Sequence, residues 1–87
     1  MTPRTTLPDG PGETLREILE TSGITQRTLA LEMGVTQKHL NFVVQGKASI
    51  TAQFAVRLER ALGVPSAEFW MGLQTNFDLH RAREATG

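Results

Sequence analysis

The middle of the chain gathers side chains able to make directed hydrogen bonds: Gln37, Lys38, His39 and Asn41. An amide presents a donor beside an acceptor, the pattern that pairs with N6 and N7 of adenine. A lysine ammonium donates to guanine or to a phosphate. Gln37 and Asn41 stand four apart, so on a helix they share one face. Around them, Thr25, Gln26, Thr36, Lys47 and Ser49 offer the hydroxyl, amide and ammonium groups that suit phosphate oxygens. The residues for other chemistry are missing. His39 and His80 are the only histidines, and there is no cysteine, which excludes a thiol nucleophile, a disulfide and a cysteine-ligated zinc site. No H-E-x-x-H, G-x-x-x-x-G-K or G-x-S-x-G pattern occurs. Carboxylates such as Glu13 and Glu17 are spaced as charges on a helix surface. The expectation is a binding protein and not an enzyme, with no metal and no cofactor.

The formal net charge is zero, so the distribution of charge carries the information. Residues 1–24 hold two arginines against four acids, a net of −2. Residues 25–47 hold Arg27, Lys38 and Lys47 against Glu32, a net of +2, and residues 48–87 balance. The polar cluster therefore lies in the basic segment. Eighty-seven residues fit one small domain with a modest core, for which dimerisation is a natural source of further stability. No apolar run approaches the roughly 20 residues that span a bilayer, and the N-terminus lacks the apolar stretch of a signal peptide. With no cysteine, the expected location is the cytoplasm, away from membranes.

The elements that must hold these groups follow one grammar. Pro11 suits the first position of a helix, with Glu13 and Glu17 near its positive end, Leu15, Ile18 and Leu19 as its buried stripe and Gly23 as its stop. Thr25, Thr36 and Thr51 then cap three helices, which Gly34, Gly46 and Gly63 end. Pro65 and Ser66 open a fifth helix that runs to about Arg83. No strand pattern occurs. The fold expected is all-α, a five-helix bundle, with residues 1–10 as a flexible N-terminal arm and residues 11–87 as the single domain.

Within this frame the segment from Gln26 to Val43 has a particular spacing. Ala30 comes four after Gln26, Gly34 four after Ala30, Leu40 six after Gly34, and Val43 three after Leu40. Ala30 is small where two helices cross, Gly34 supplies a left-handed turn, and Leu40 and Val43 face inward. Gln37, Lys38, His39 and Asn41 are left on the outer face. The spacing resembles the helix-turn-helix of Xre-type phage repressors. That resemblance implies a third helix in the major groove of double-stranded DNA and a second helix whose N-terminus meets a phosphate. Phe42 is unusual on such a face; a neighbouring helix, a partner or a sugar would each accommodate it. The spacing also suits any tight helical pair, and the polar residues would then be an ordinary solvated face. A protein-interaction module that has lost DNA binding is the corresponding alternative, and zero net charge is its best argument.

The flanks narrow the resemblance. Pro11-Gly12-Glu13, Gly46-Lys47, Ile50-Thr51, Ala55 with Arg57-Leu58, Ala61-Leu62-Gly63, and the run from Glu68-Phe69-Trp70 through Leu79 are similar to the motifs of HigA antitoxins. This likeness covers residues 11–83, and the F-W-x-x-L-Q-x-x-F-D-L ending is its most particular part. It implies a homodimer bound to an inverted-repeat operator in its own promoter. It also implies a small toxin partner, a RelE-like HigB endoribonuclease. The family often carries serine where Asn41 stands and a basic or polar residue where Phe42 stands, so the operator sequence is left open. It also includes solitary repressors, which makes a stand-alone Xre-type regulator the alternative.

The last helix supports a dimer on physical grounds. Phe69, Trp70, Leu73 and Phe77 follow a three-four spacing. Phe69, Trp70 and Leu73 are expected to cover the core. Phe77 and Leu79 point in different directions, and a monomer this small does not bury both, so Phe77, Leu79 and Leu73 are the expected dimerisation residues. A packing of this end on the first helix or the arm is the plainer option. Two-fold symmetry would set two recognition helices roughly 34 Å apart, one turn of DNA.

Overall fold

The computed structural model describes residues 10–86. The expected N-terminal arm therefore lies, apart from Gly10, outside the described residues. Five helices follow in order: α1 (Pro11–Ser22), α2 (Gln26–Met33), α3 (Gln37–Val44), α4 (Ala52–Leu62) and α5 (Ala67–Thr86). There is no strand among the described residues.

Local chemistry sets the boundaries. The hydroxyls of Thr25, Thr36 and Thr51 accept the backbone N–H groups of Thr28, His39 and Phe54 at 3.0–3.1 Å. Each satisfies one of the amides that a helix start leaves unpaired. At the other ends Gly23, Gly34, Gly46 and Gly63 all have positive φ. Helix α5 is stapled to α4, because the Ala67 N–H donates to the Glu59 carboxylate at 3.3 Å. It runs three residues beyond the expected end.

The core draws on every helix. Leu15 and Leu19 come from α1, Leu29, Ala30 and Met33 from α2, and Leu40, Val43 and Val44 from α3. Phe54, Ala55 and Leu58 come from α4, Trp70 from α5, and Ile50 from the α3–α4 loop. Ile18 is half-buried against it. Helix α3 is held from two sides, by α1 and by α2, while α4 joins α2 to α5.

One core expectation is corrected. Trp70 is fully buried and Leu73 packs at the core's edge, but Phe69 is 44% exposed. The inward stripe of α5 runs through Ala67, Trp70, Gln74 and Phe77, at three- and four-residue steps. Phe69 falls beside it, its ring edge-on to Trp70 at 5.7 Å. No helix of the described residues is long and apolar enough to cross a membrane.

Candidate nucleic-acid interface

The turn between α2 and α3 fixes the angle of α3. Gly34, at φ 75°, closes α2 with its N–H on Leu31 O at 3.3 Å, and Val35 N–H reaches Ala30 O at 3.1 Å. This is the paired bonding of a Schellman motif, and the half-buried Val35 continues it into the core. Helix α4 adds a clamp: the Arg57 guanidinium donates to Met33 O at 2.7 Å. A cation there faces the negative end of α2 and satisfies a carbonyl that the helix leaves open. A side chain at position 34 would be strained by the positive φ and would also come within 2.9 Å of Arg57 Nη1.

Leu40, Val43 and Val44 turn inward from α3 and are nearly inaccessible. At about 100° per residue the opposite face centres on Lys38, Phe42 and Gln45, with Gln37 and Asn41 on one flank and His39 on the other. The structure thus brings Gln37, Lys38 and Asn41 together and sets His39 apart, its ring 5.3 Å from that of Phe54. Gln37, Lys38 and His39 are exposed and Asn41 is half-buried. Phe42 is 39% exposed, and the Lys38 ammonium lies 5.8 Å from its ring centroid. The aromatic ring thus serves as a rest for the lysine, a cation–π contact.

Sequence reasoning did not single out Gln45. Its Nε2 donates to Asn41 Oδ1 at 3.2 Å, which extends the amide row by one turn. The i, i+4 spacing from Asn41 is the signal that could have found it.

The expected phosphate-facing groups lie at the rims of this surface. Thr25 is exposed and Gln26 half-exposed at the start of α2, and Thr36 is exposed at the start of α3. The Thr25 hydroxyl also donates to Thr28 Oγ1 at 3.1 Å. Lys47 and Ser49 are exposed in the loop after α3. That loop starts from a second Schellman closure, with Gly46 N–H on Val43 O at 3.0 Å and Lys47 N–H on Phe42 O at 2.8 Å.

The three residues named for dimerisation are placed differently from one another. Leu79 is 45% exposed, whereas Leu73 packs on the core. Phe77 is half-buried; a Cβ on Gly10 would come within 3.3 Å of its ring, and Arg81 lies 5.5 Å from its centroid. Among the described residues no cluster of His, Asp or Glu has the makings of a metal site.

Two short helices joined by a three-residue turn, the second lying across the first with a polar outer face, define a helix-turn-helix protein. The helix-turn-helix family matches residues 15–69. Antitoxin HigA-1 of Vibrio cholerae is 39% identical over 87% of this chain and 71% of its own length. Virulence-associated protein I of Dichelobacter nodosus is 37% identical over 85% of this chain and 68% of its own. The solved structure of Pseudomonas aeruginosa antitoxin HigA with the higBA promoter superimposes with a TM-score of 0.85 at 38% identity, over 92% of this chain and 87% of that one. The chain belongs to the helix-turn-helix family and, within it, to the HigA-like group.

Proposed function

We propose that the chain is a sequence-specific DNA-binding antitoxin. It forms a homodimer, reads an inverted-repeat operator with α3, represses its own operon and holds a small RelE-like HigB toxin in a complex. The observation that carries this reading is the likeness, over nearly the whole chain, to a HigA solved with its promoter. Gln37, Lys38 and Asn41 contact bases, and His39 approaches them from the α4 side. Thr25, Gln26, Thr36, Lys47 and Ser49 hold phosphates and set the register, which base contacts then convert into specificity. The activity is binding rather than catalysis, and its place is the cytoplasm, where promoter and toxin are.

The basic segment suits this role despite zero net charge. A protein needs only local positive potential along the backbone, and the acids of α1 lie in a separate part of the chain. Replacing Gln37 and Lys38 together by alanine is expected to cost about 1–3 kcal/mol for each base-edge hydrogen-bonding pair that it removes. Titration of the protein against its own upstream promoter duplex measures this. Unchanged affinity for that duplex would show that α3 is not the reading helix.

Leu79 is an exposed apolar residue on the proposed dimer helix, as Phe69 is nearer its start. Leu79→Glu is expected to shift the sedimenting mass from dimer to monomer, since it places a charge in an interface that excludes water. A dimer that survives Leu79→Glu moves the interface elsewhere. Purification of the tagged protein from its host tests the toxin. A small stoichiometric partner encoded alongside establishes the antitoxin role, whereas homodimer and promoter DNA alone establish a stand-alone repressor.

A further inference from the structure

Gln74 is the buried polar side chain among the described residues, 7% exposed in the middle of α5. Its Oε1 accepts the backbone N–H of Ile50 at 2.8 Å, across 24 residues of chain. Its Nε2 donates to Asp78 Oδ1 at 2.9 Å, one turn further along α5. Only this orientation of the amide works. Rotated by half a turn, it would set an NH2 against the Ile50 N–H and an oxygen against the carboxylate. Asp78 therefore decides which atom faces the loop.

The bond falls at a sensitive place. Ile50 is 3% exposed and lies between the Lys47–Ser49 segment and the Thr51 cap of α4. Lys47 N–H is tied to α3 at one end of that segment. Gln74 ties the other end, and only Ala48 between them leans on the core.

We propose that Gln74 is a positioning residue for DNA binding, a strut from α5 that sets the Lys47–Ser49 segment against the phosphate backbone. This rests on the DNA-binding reading above. The helix assigned to dimerisation thereby also sets the clamp that follows the reading helix. A buried amide with both ends matched is stiff, since either bond broken leaves an unpaired buried group.

The test is a salt series of binding to the protein's own upstream promoter duplex and to an unrelated duplex, with thermal melts in parallel. Gln74→Glu keeps an oxygen for Ile50 but sets its second one against the Asp78 carboxylate, and the repulsion between the two anions drives the side chain out of its seat on Ile50. It is expected to weaken binding about tenfold on both duplexes and to flatten the salt dependence by roughly two, one phosphate for the Lys47 of each protomer. The double variant Gln74→Glu with Asp78→Asn exchanges the partners: the new carboxylate still accepts from Ile50, and the new amide donates to it. Affinity and salt slope should both return. Added to Lys47→Ala, Gln74→Glu should have little further effect. A role confined to stability would lower the melting temperature, leave the slope of the folded protein unchanged and add to Lys47→Ala. Should Gln74→Glu fail to fold, Asp78→Ala removes the anchor and keeps the acceptor, and it should show the same loss in milder form.

A wild-type slope in Gln74→Glu or, where that variant does not fold, in Asp78→Ala overturns the proposal, as does full additivity with Lys47→Ala. Wild-type protein that binds neither duplex overturns the DNA reading, and the proposal with it.

Discussion

Gly12→Ala is expected to destabilise the fold by about 2–3 kcal/mol, the upper range for overpacking a closed interior. Gly12 is buried in the first turn of α1. A Cβ there would run into the carbonyl oxygens of Val43 and Val44, the latter at 2.8 Å. Both are backbone atoms in the last turn of α3, so no flexible side chain can step aside. The contact also joins the positive end of α1 to the negative end of α3, which favours close approach. The loss corresponds to a fall in melting temperature on the order of 10–20 °C for a domain of this size.

Because the atoms displaced belong to α3, operator affinity should fall even at temperatures where the variant stays folded. Gly72 is the control, since a Cβ there meets nothing within 4 Å. Gly72→Ala should be neutral or stabilising by up to about 1 kcal/mol, from helix propensity. Thermal melts of the pair decide the matter. Equal stability of the two alanine variants would mean that α1 does not need its close seat on α3.

The other large effect is at Trp70. Its side chain is fully buried where α5 meets the core, and truncation to alanine should cost about 3–5 kcal/mol. That is a large part of the roughly 5–15 kcal/mol that holds a small domain together. Denaturant titration should find Trp70→Ala largely unfolded near physiological temperature, with a midpoint that rises with protein concentration if dimerisation offsets the loss.

Trp70→Phe should behave differently. The indole Nε1 is buried without a hydrogen-bond partner, and such a group costs about 1–3 kcal/mol. Phenylalanine gives up volume and removes that unpaired donor as well, so the two effects offset. A phenylalanine variant nearly as unstable as the alanine one would show that the indole N–H is paired, through water, in solution.

How much of this was legible depends on the distance between the partners in the chain. The caps at Thr25, Thr36 and Thr51 read directly from sequence because each bond spans three residues. The glycine stops read for the same reason. The Ala30–Gly34–Leu40–Val43 spacing was legible because α2 and α3 are neighbours joined by a short turn, so local geometry nearly dictates their packing. Helix α5 was harder. Its apolar residues are spread around the helix, and the stripe that turned inward contains Gln74, a polar residue that apolar patterning passes over. Phe69 was misplaced for that reason. Phe42 became intelligible once Lys38 was seen resting on its ring.

By itself the sequence determined five helices, the boundaries of the first four to within a residue, the helix-turn-helix and the outward placement of Gln37, Lys38 and His39, with Asn41 half-buried beside them. Propensity, capping and the 3.6-residue period are properties of short segments, and they need no knowledge of the rest of the chain. The tertiary structure decided what holds that surface in place. Arg57 reaches Met33 O, Gln74 reaches Ile50 N–H, and Gly12 admits the carbonyls of Val43 and Val44. Each links residues brought together only when the helices pack. A glycine, a glutamine or an arginine seen in sequence does not announce a backbone atom more than twenty residues away that needs it.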